Sequence, residues 1–158
     1  MTQHTSVITP LASTTSAEDL VPEGYDLVDF LSEEKQQEFE KAEQVIEDGY
    51  DYAAIMVTNK GNMMIDLFED VPITINNFAF LALHHYYEGI IFHRVLEDFM
   101  AQTGDPTGTG TGGPGYKFAD EFVEGRLHTQ KGTLSMANSA PIPMVRSFYD
   151  LCTHGLVG

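Results

Sequence analysis

The stretch FHRVLEDFMAQTGDP, residues 92–106, holds two short apolar runs separated by a few turn residues. With their flanks, Ile90 to Val95 and Phe99 to Thr103 are too short for helices and read as strands around a turn. Between them stands Arg94, a guanidinium set among aromatic, thioether and amide side chains. On residues alone this arrangement has two readings. It either lines an apolar groove with one fixed cationic donor, suited to a peptide, or it is a structural charge paired inside the fold.

Outward from this pair, the pattern stays β-rich. Tyr52 to Thr58 and Met63 to Phe68 flank Asn59, Lys60 and Gly61, a turn-forming cluster, and predict a hairpin. Pro72 and Thr74 open a helix in which Ile75, Phe78, Leu81 and Ala82 share one face, running to about His84. After the second strand pair come a glycine-rich stretch, 104–115, and a last short run, Gly132 to Asn138. Short strands with one intervening helix imply a β sandwich or barrel rather than a doubly wound sheet.

Charge is distributed unevenly along the 158 residues: 24 acids face 8 bases, a net charge of -16, and residues 1–52 hold 13 of the acids and 2 of the bases. That excess repels phosphate backbones and anionic lipid, so neither nucleic acid nor membrane is an expected partner. No apolar run approaches the roughly 18 residues needed to span a bilayer. The solitary Cys152 excludes an intrachain disulfide and a multi-thiolate zinc site, which points to the cytoplasm. Residues 1–25, rich in Ser, Thr and Pro, are expected to form a mobile tail. Residues 26–51 are expected to form an acidic helical extension, with Leu31, Phe39, Ala42 and Ile46 on one face and Ser32 as N-cap.

Several apparent motifs reduce to structure. Gly108 to Gly113 matches the dinucleotide pattern GxGxxG, but Pro114 and Gly115 follow where a helix would have to begin, so a loop with left-handed glycines is expected instead. His84, His85 and His93 do not make a metal site, because adjacent helical residues point about 100 degrees apart. Asp120 and Glu121 read as solvated carboxylates. Covalent catalysis lacks a nucleophile, since GxSxG is absent and Cys152 has no evident base.

The order of the motifs resembles one family. Asn77-Phe78, Tyr87-Glu88-Gly89, Phe92 to Val95, Phe99 to Gln102, Gly104 to Pro106, Gly108 to Gly115, Asp120 to Phe122 and Gly132 to Ser139 together resemble the cyclophilin peptidyl-prolyl cis-trans isomerases over residues 52–139. The resemblance implies a mainly β fold: an antiparallel cyclophilin-like barrel with a capping helix, joined here to the acidic N-terminal helix and incomplete at its C-terminus. It implies isomerisation of X-Pro bonds without cofactor or metal, acting on proline-containing peptides or unfolded proteins and assisting folding as a chaperone. By the same matching Arg94 is the catalytic donor, Phe99 and Met100 grip the proline ring, and Gln102 holds substrate backbone or orients Arg94. Ala137 and Asn138 contact the residue before proline, and His93 is a packed neighbour. The alternatives are a non-catalytic proline-peptide binder or chaperone-like module, and an inactive truncated product.

Two family glycines are replaced, by His85 and Thr103; if either backbone needs positive φ, the substitution costs about 1 kcal/mol. From Ala140 the family pattern is lost. If one base was lost at the family's glycine codon here, codons for residues 140–145 regroup in the original frame to spell PNTNG, the family's continuation. Residues 140–158 are therefore expected to be out-of-frame text.

Overall fold

The computed structural model describes residues 18–128, 131–138 and 147–154. They form two compact units, one of the described residues up to Gln36 with Ala42–Gly89, the other of Gln37–Lys41 with the described residues from Ile90 onward. Of the expected tail, residues 1–17 lie outside the described part; Glu18–Leu20 is a short 3-10 turn. No helix among the described residues is long and apolar enough to cross a membrane.

In the first unit, β1 (Tyr52–Thr58) and β2 (Gly61–Leu67) pair antiparallel, Tyr52 opposite Leu67 and Thr58 opposite Gly61, with a two-residue connection. The Thr58 hydroxyl closes the turn by donating to Gly61 O (2.7 Å) and accepting from Lys60 N (3.1 Å). β2 alternates between half-buried and exposed residues, whereas β1 is buried from Tyr52 through Ile55. One strand has a wet face, the other has none. Helix α1 (Pro72–Leu83) begins with proline, whose missing N–H is not needed in the first turn, and is buried continuously from Ile75 to Leu83. A helix apolar on nearly every side is an interior helix.

The end of α1 explains the first replaced glycine. Tyr86 N donates to Leu81 O and His85 N to Ala82 O, each at 3.0 Å, the bonding of a Schellman motif with His85 at its left-handed position. Its φ is 58°, as the glycine at that position implied. The imidazole makes use of the site. Its Nδ1 hydrogen-bonds Glu88 Oε1, its Nε2 lies 2.9 Å from Ser32 O, and the ring stacks on Phe30 with centroids 4.1 Å apart. His85→Gly relieves about 1 kcal/mol of backbone strain. It also removes two hydrogen bonds of about 1 kcal/mol each and a ring pair of similar size. The losses exceed the gain, so Tm is expected to fall by roughly 3–6 °C; a rise on thermal unfolding would refute the clamp.

The expected helix over 26–51 is not formed: no residue from Asp26 to Asp51 is helical. Its amide groups bond to other segments rather than four residues back. Leu31 N donates to Leu83 O (2.9 Å) and Gln36 N to His84 O (3.0 Å). Buried Asn76 accepts from Val45 N (2.8 Å) and Ile46 N (3.3 Å) and donates to Glu43 O (2.8 Å). Ser32 does not cap; its hydroxyl donates to Glu34 O. Leu31, assigned to an apolar face, is 54% exposed. Tertiary partners for the backbone override a helical spacing whose like-charged side chains oppose a compact helix.

The second unit holds a four-stranded antiparallel sheet of β3 (Arg94–Leu96), β4 (Met100–Thr103), β5 (Leu134–Asn138) and β6 (Ser147–His154), in the order β3-β4-β6-β5. The run from Ile90 becomes strand only at Arg94. β6 lies in the stretch read as outside the resemblance, of which residues 140–146 and 155–158 are not described. Phe99 N donates to Leu96 O (3.1 Å) across the β3–β4 turn, where Asp98 takes a φ of 55°. A short polar side chain tolerates that region better than a bulky one. Thr103, the second replaced glycine, has no positive φ; Gly104 takes φ 108° beside it. The fold is thus mainly strands with one α-helix among the described residues.

Candidate functional site

The β3–β4 register sets Arg94 opposite Gln102, Val95 opposite Ala101 and Leu96 opposite Met100. Directly opposed residues share a face of the sheet, so Arg94, Gln102, Leu96 and Met100 are grouped together. Arg94 is exposed and Gln102 half-buried, while Met100 is 4% exposed. Phe99 ends the turn and is 56% exposed, so it and Met100 differ in environment although adjacent. The backbone row continues from Gln102 to Cys152 on β6 and Ser135 on β5. Ala137, half-buried, lies two residues further along β5, and Asn138 pairs with Ser147 beyond a bulge. Arg94 and Gln102 are brought together; Ala137 and Asn138 are separated from them by β6.

Asp105, quoted in a motif but given no role from sequence, organises the glycine-rich loop. Its carboxylate is 1% exposed and accepts from Thr107 N (2.7 Å), Thr107 Oγ1 (2.8 Å), Thr109 N (2.9 Å), Gly110 N (2.6 Å) and Thr111 N (3.0 Å). Burial alone raises its pKa. Hydrogen bonds from the Thr107 hydroxyl and from the amides of Thr107, Gly112 and Gly110 outweigh burial and hold it far below the usual carboxylate range. The free N–H groups with which such a loop could cradle a phosphate are occupied by the chain's own carboxylate. The dinucleotide match is thereby explained as structure. A Cβ at Gly112 would overlap Asp105 Oδ1, so that position requires glycine. The useful sequence signal is the alternation TGTGTG after an aspartate, which presents successive amides to one acceptor.

The loop also packs on the approach to Arg94. A Cβ at Gly108 would lie 3.4 Å from Ile91 Cδ1, and one at Gly110 would lie 3.5 Å from His93 Nε2. His93 is half-buried, with both ring nitrogens shielded from solvent. Among the described residues no group of three His, Cys, Asp or Glu side chains could hold a metal.

A sequence model of the family described as cyclophilin type peptidyl-prolyl cis-trans isomerase/CLD matches residues 53–155. Peptidyl-prolyl cis-trans isomerase-like 1 of Aspergillus fumigatus is 52% identical over 88 residues, covering 53% of this chain and 55% of that protein. Peptidyl-prolyl cis-trans isomerase-like 3 of Gallus gallus is 47% identical over 93 residues, 56% of this chain and 58% of that one. The chain thus spans a little over half the length of these curated relatives. A crystal structure of a Cryptosporidium parvum cyclophilin type peptidyl-prolyl cis-trans isomerase superposes with a TM-score of 0.63 at 32% identity, covering 67% of this chain and 68% of that one. The same protein in the presence of the dipeptide Ala-Pro gives 0.60 at 34% identity, covering 64% and 66%.

Proposed function

Because the chain belongs to the cyclophilin-type peptidyl-prolyl cis-trans isomerase family, we propose that it catalyses rotation about X-Pro peptide bonds in proline-containing peptides and unfolded proteins. Rotation faces a barrier of about 18–20 kcal/mol because it breaks amide resonance. At the half-rotated state the nitrogen lone pair is localised and accepts a hydrogen bond that it cannot accept in the planar amide. A donor fixed beside it lowers the barrier selectively. Arg94 is that donor, Phe99 and Met100 hold the proline ring, and Gln102 holds substrate backbone or steers the guanidinium. Ala137 and Asn138 contact the preceding residue.

The observation that carries this assignment is the register that sets Arg94 across from Gln102 with Met100 on the same face. Family membership supports an antiparallel barrel as the architecture of the complete domain. The relative crystallised with Ala-Pro supports a proline dipeptide as the minimal ligand. Proline-peptide binding without catalysis is the second reading, favoured by the exposure of Phe99, which leaves the ring wall open. NMR exchange spectroscopy on an Ala-Pro tetrapeptide separates the two. Acceleration of cis-trans exchange by the full chain supports isomerisation, and shifted resonances without acceleration leave only binding.

We also read residues 140–158 as out-of-frame text. The nucleotide sequence over codons 139–158 tests it, and an uninterrupted frame that matches the genomic locus removes it.

A further inference from the structure

β3 is three residues long, wholly exposed and at the edge of its sheet, and Arg94 opposite Gln102 is the last rung at its N-terminal end. Terminal rungs of a short edge strand open readily, and a donor that must meet a half-rotated imide cannot be allowed to wander with them. Thr103 lies one residue beyond Gln102, is 6% exposed, and donates its hydroxyl to Ile91 O at 3.0 Å. That bond ties β4 to the chain three residues before Arg94, past the point where the ladder ends. By alternation Thr103 points to the face opposite Gln102, so the tether leaves the Arg94 face clear. Its backbone has no positive φ, so glycine's conformational freedom is not what this position needs.

We propose that Thr103 is a positioning residue for Arg94, its hydroxyl acting as an extra rung that holds the start of β3 in register with Gln102. The proposal deepens the isomerase assignment and rests on it for its catalytic consequence. The test uses the full chain labelled with nitrogen-15, as Thr103→Val, which deletes the hydroxyl at similar shape, and Thr103→Ser, which keeps it. Thr103→Ala serves as the deletion variant where valine gives a poorly dispersed spectrum. The deletion is expected to move or broaden the Arg94 Nε–Hε resonance and to lower kcat on an Ala-Pro tetrapeptide about five-fold. KM stays within about two-fold, since the proline-gripping residues are untouched. Serine is expected to restore both signals. An Arg94 resonance unmoved by hydroxyl removal, or moved equally by serine, overturns the proposal. Wild-type chain without isomerisation overturns the functional assignment instead, while the Arg94 resonance still decides the positioning.

Discussion

Arg94→Ala is expected to reduce kcat/KM for X-Pro isomerisation by about 10²- to 10³-fold, the loss typical when one preorganised donor to a transition-state lone pair or oxyanion is removed. Little of that loss should reach stability. The side chain is exposed on an edge strand, and surface replacements of that kind stay within about 0.5 kcal/mol. The pairing of a large kinetic effect with an unchanged melting curve is what distinguishes a donor from a structural charge, the alternative that the residues alone leave open. Arg94→Lys sharpens the comparison, because it keeps the charge but replaces a planar fork by a single mobile ammonium. It should recover at most about a tenth of the wild-type rate. If alanine and wild type isomerise a tetrapeptide at equal rates, the guanidinium has no catalytic role. If alanine instead lowers Tm by several degrees, Arg94 is a paired charge.

How much of this was legible depends on where the backbone hydrogen bonds go. The hairpin at 52–67, helix α1 and the pairing of β3 with β4 join neighbouring segments, so local periodicity and turn residues suffice to find them, whereas the pairing of β4 with β6 is non-local. Segment 26–51 has suitable apolar spacing but sends its amides to Leu83, His84 and Asn76, partners 30 or more residues away that no local pattern reveals. The left-handed backbone at His85 was legible only through the glycine it replaces. The same inference did not hold at Thr103, because the turn takes its positive φ from the next residue. For the site, the pairing of Arg94 with Gln102 follows from two strands and a short turn. The separation of Ala137 from them by β6 does not, since strand order is set by non-local pairing. Asp105 was visible as a residue and invisible as a hub, because a carboxylate's role depends on which amides a loop turns toward it.

The largest stability effect is expected at that hub. Asp105→Ala leaves the amides of Thr107, Thr109, Gly110 and Thr111 facing an emptied, part-buried space. Each lost charge-assisted bond contributes about 1.5–3 kcal/mol. Because the loop can open toward water, the sum is expected to saturate near about 3–5 kcal/mol rather than add fully. Asp105→Asn is no remedy, as three of those amides converge on Oδ2, where an amide NH2 would meet donors with a donor. The sign of the pH dependence follows from the depressed pKa. Folding holds this carboxylate ionised below its ordinary value near 3.8, so its contribution is complete above that value and is lost as pH falls through it toward the folded one. Chemical unfolding of wild type and Asp105→Asn should therefore show a gap that is wide at pH 7 and narrows below about pH 4. A gap of equal size at pH 7 and pH 2.5 would mean that the loop is held by its shape and not by the charge. The consequence extends to the chemistry, because Gly108 and Gly110 lie one added carbon short of contact with Ile91 and His93, just before Arg94. A variant that loosens the loop should also slow isomerisation, by less than Arg94→Ala does, since it misplaces the donor without removing it.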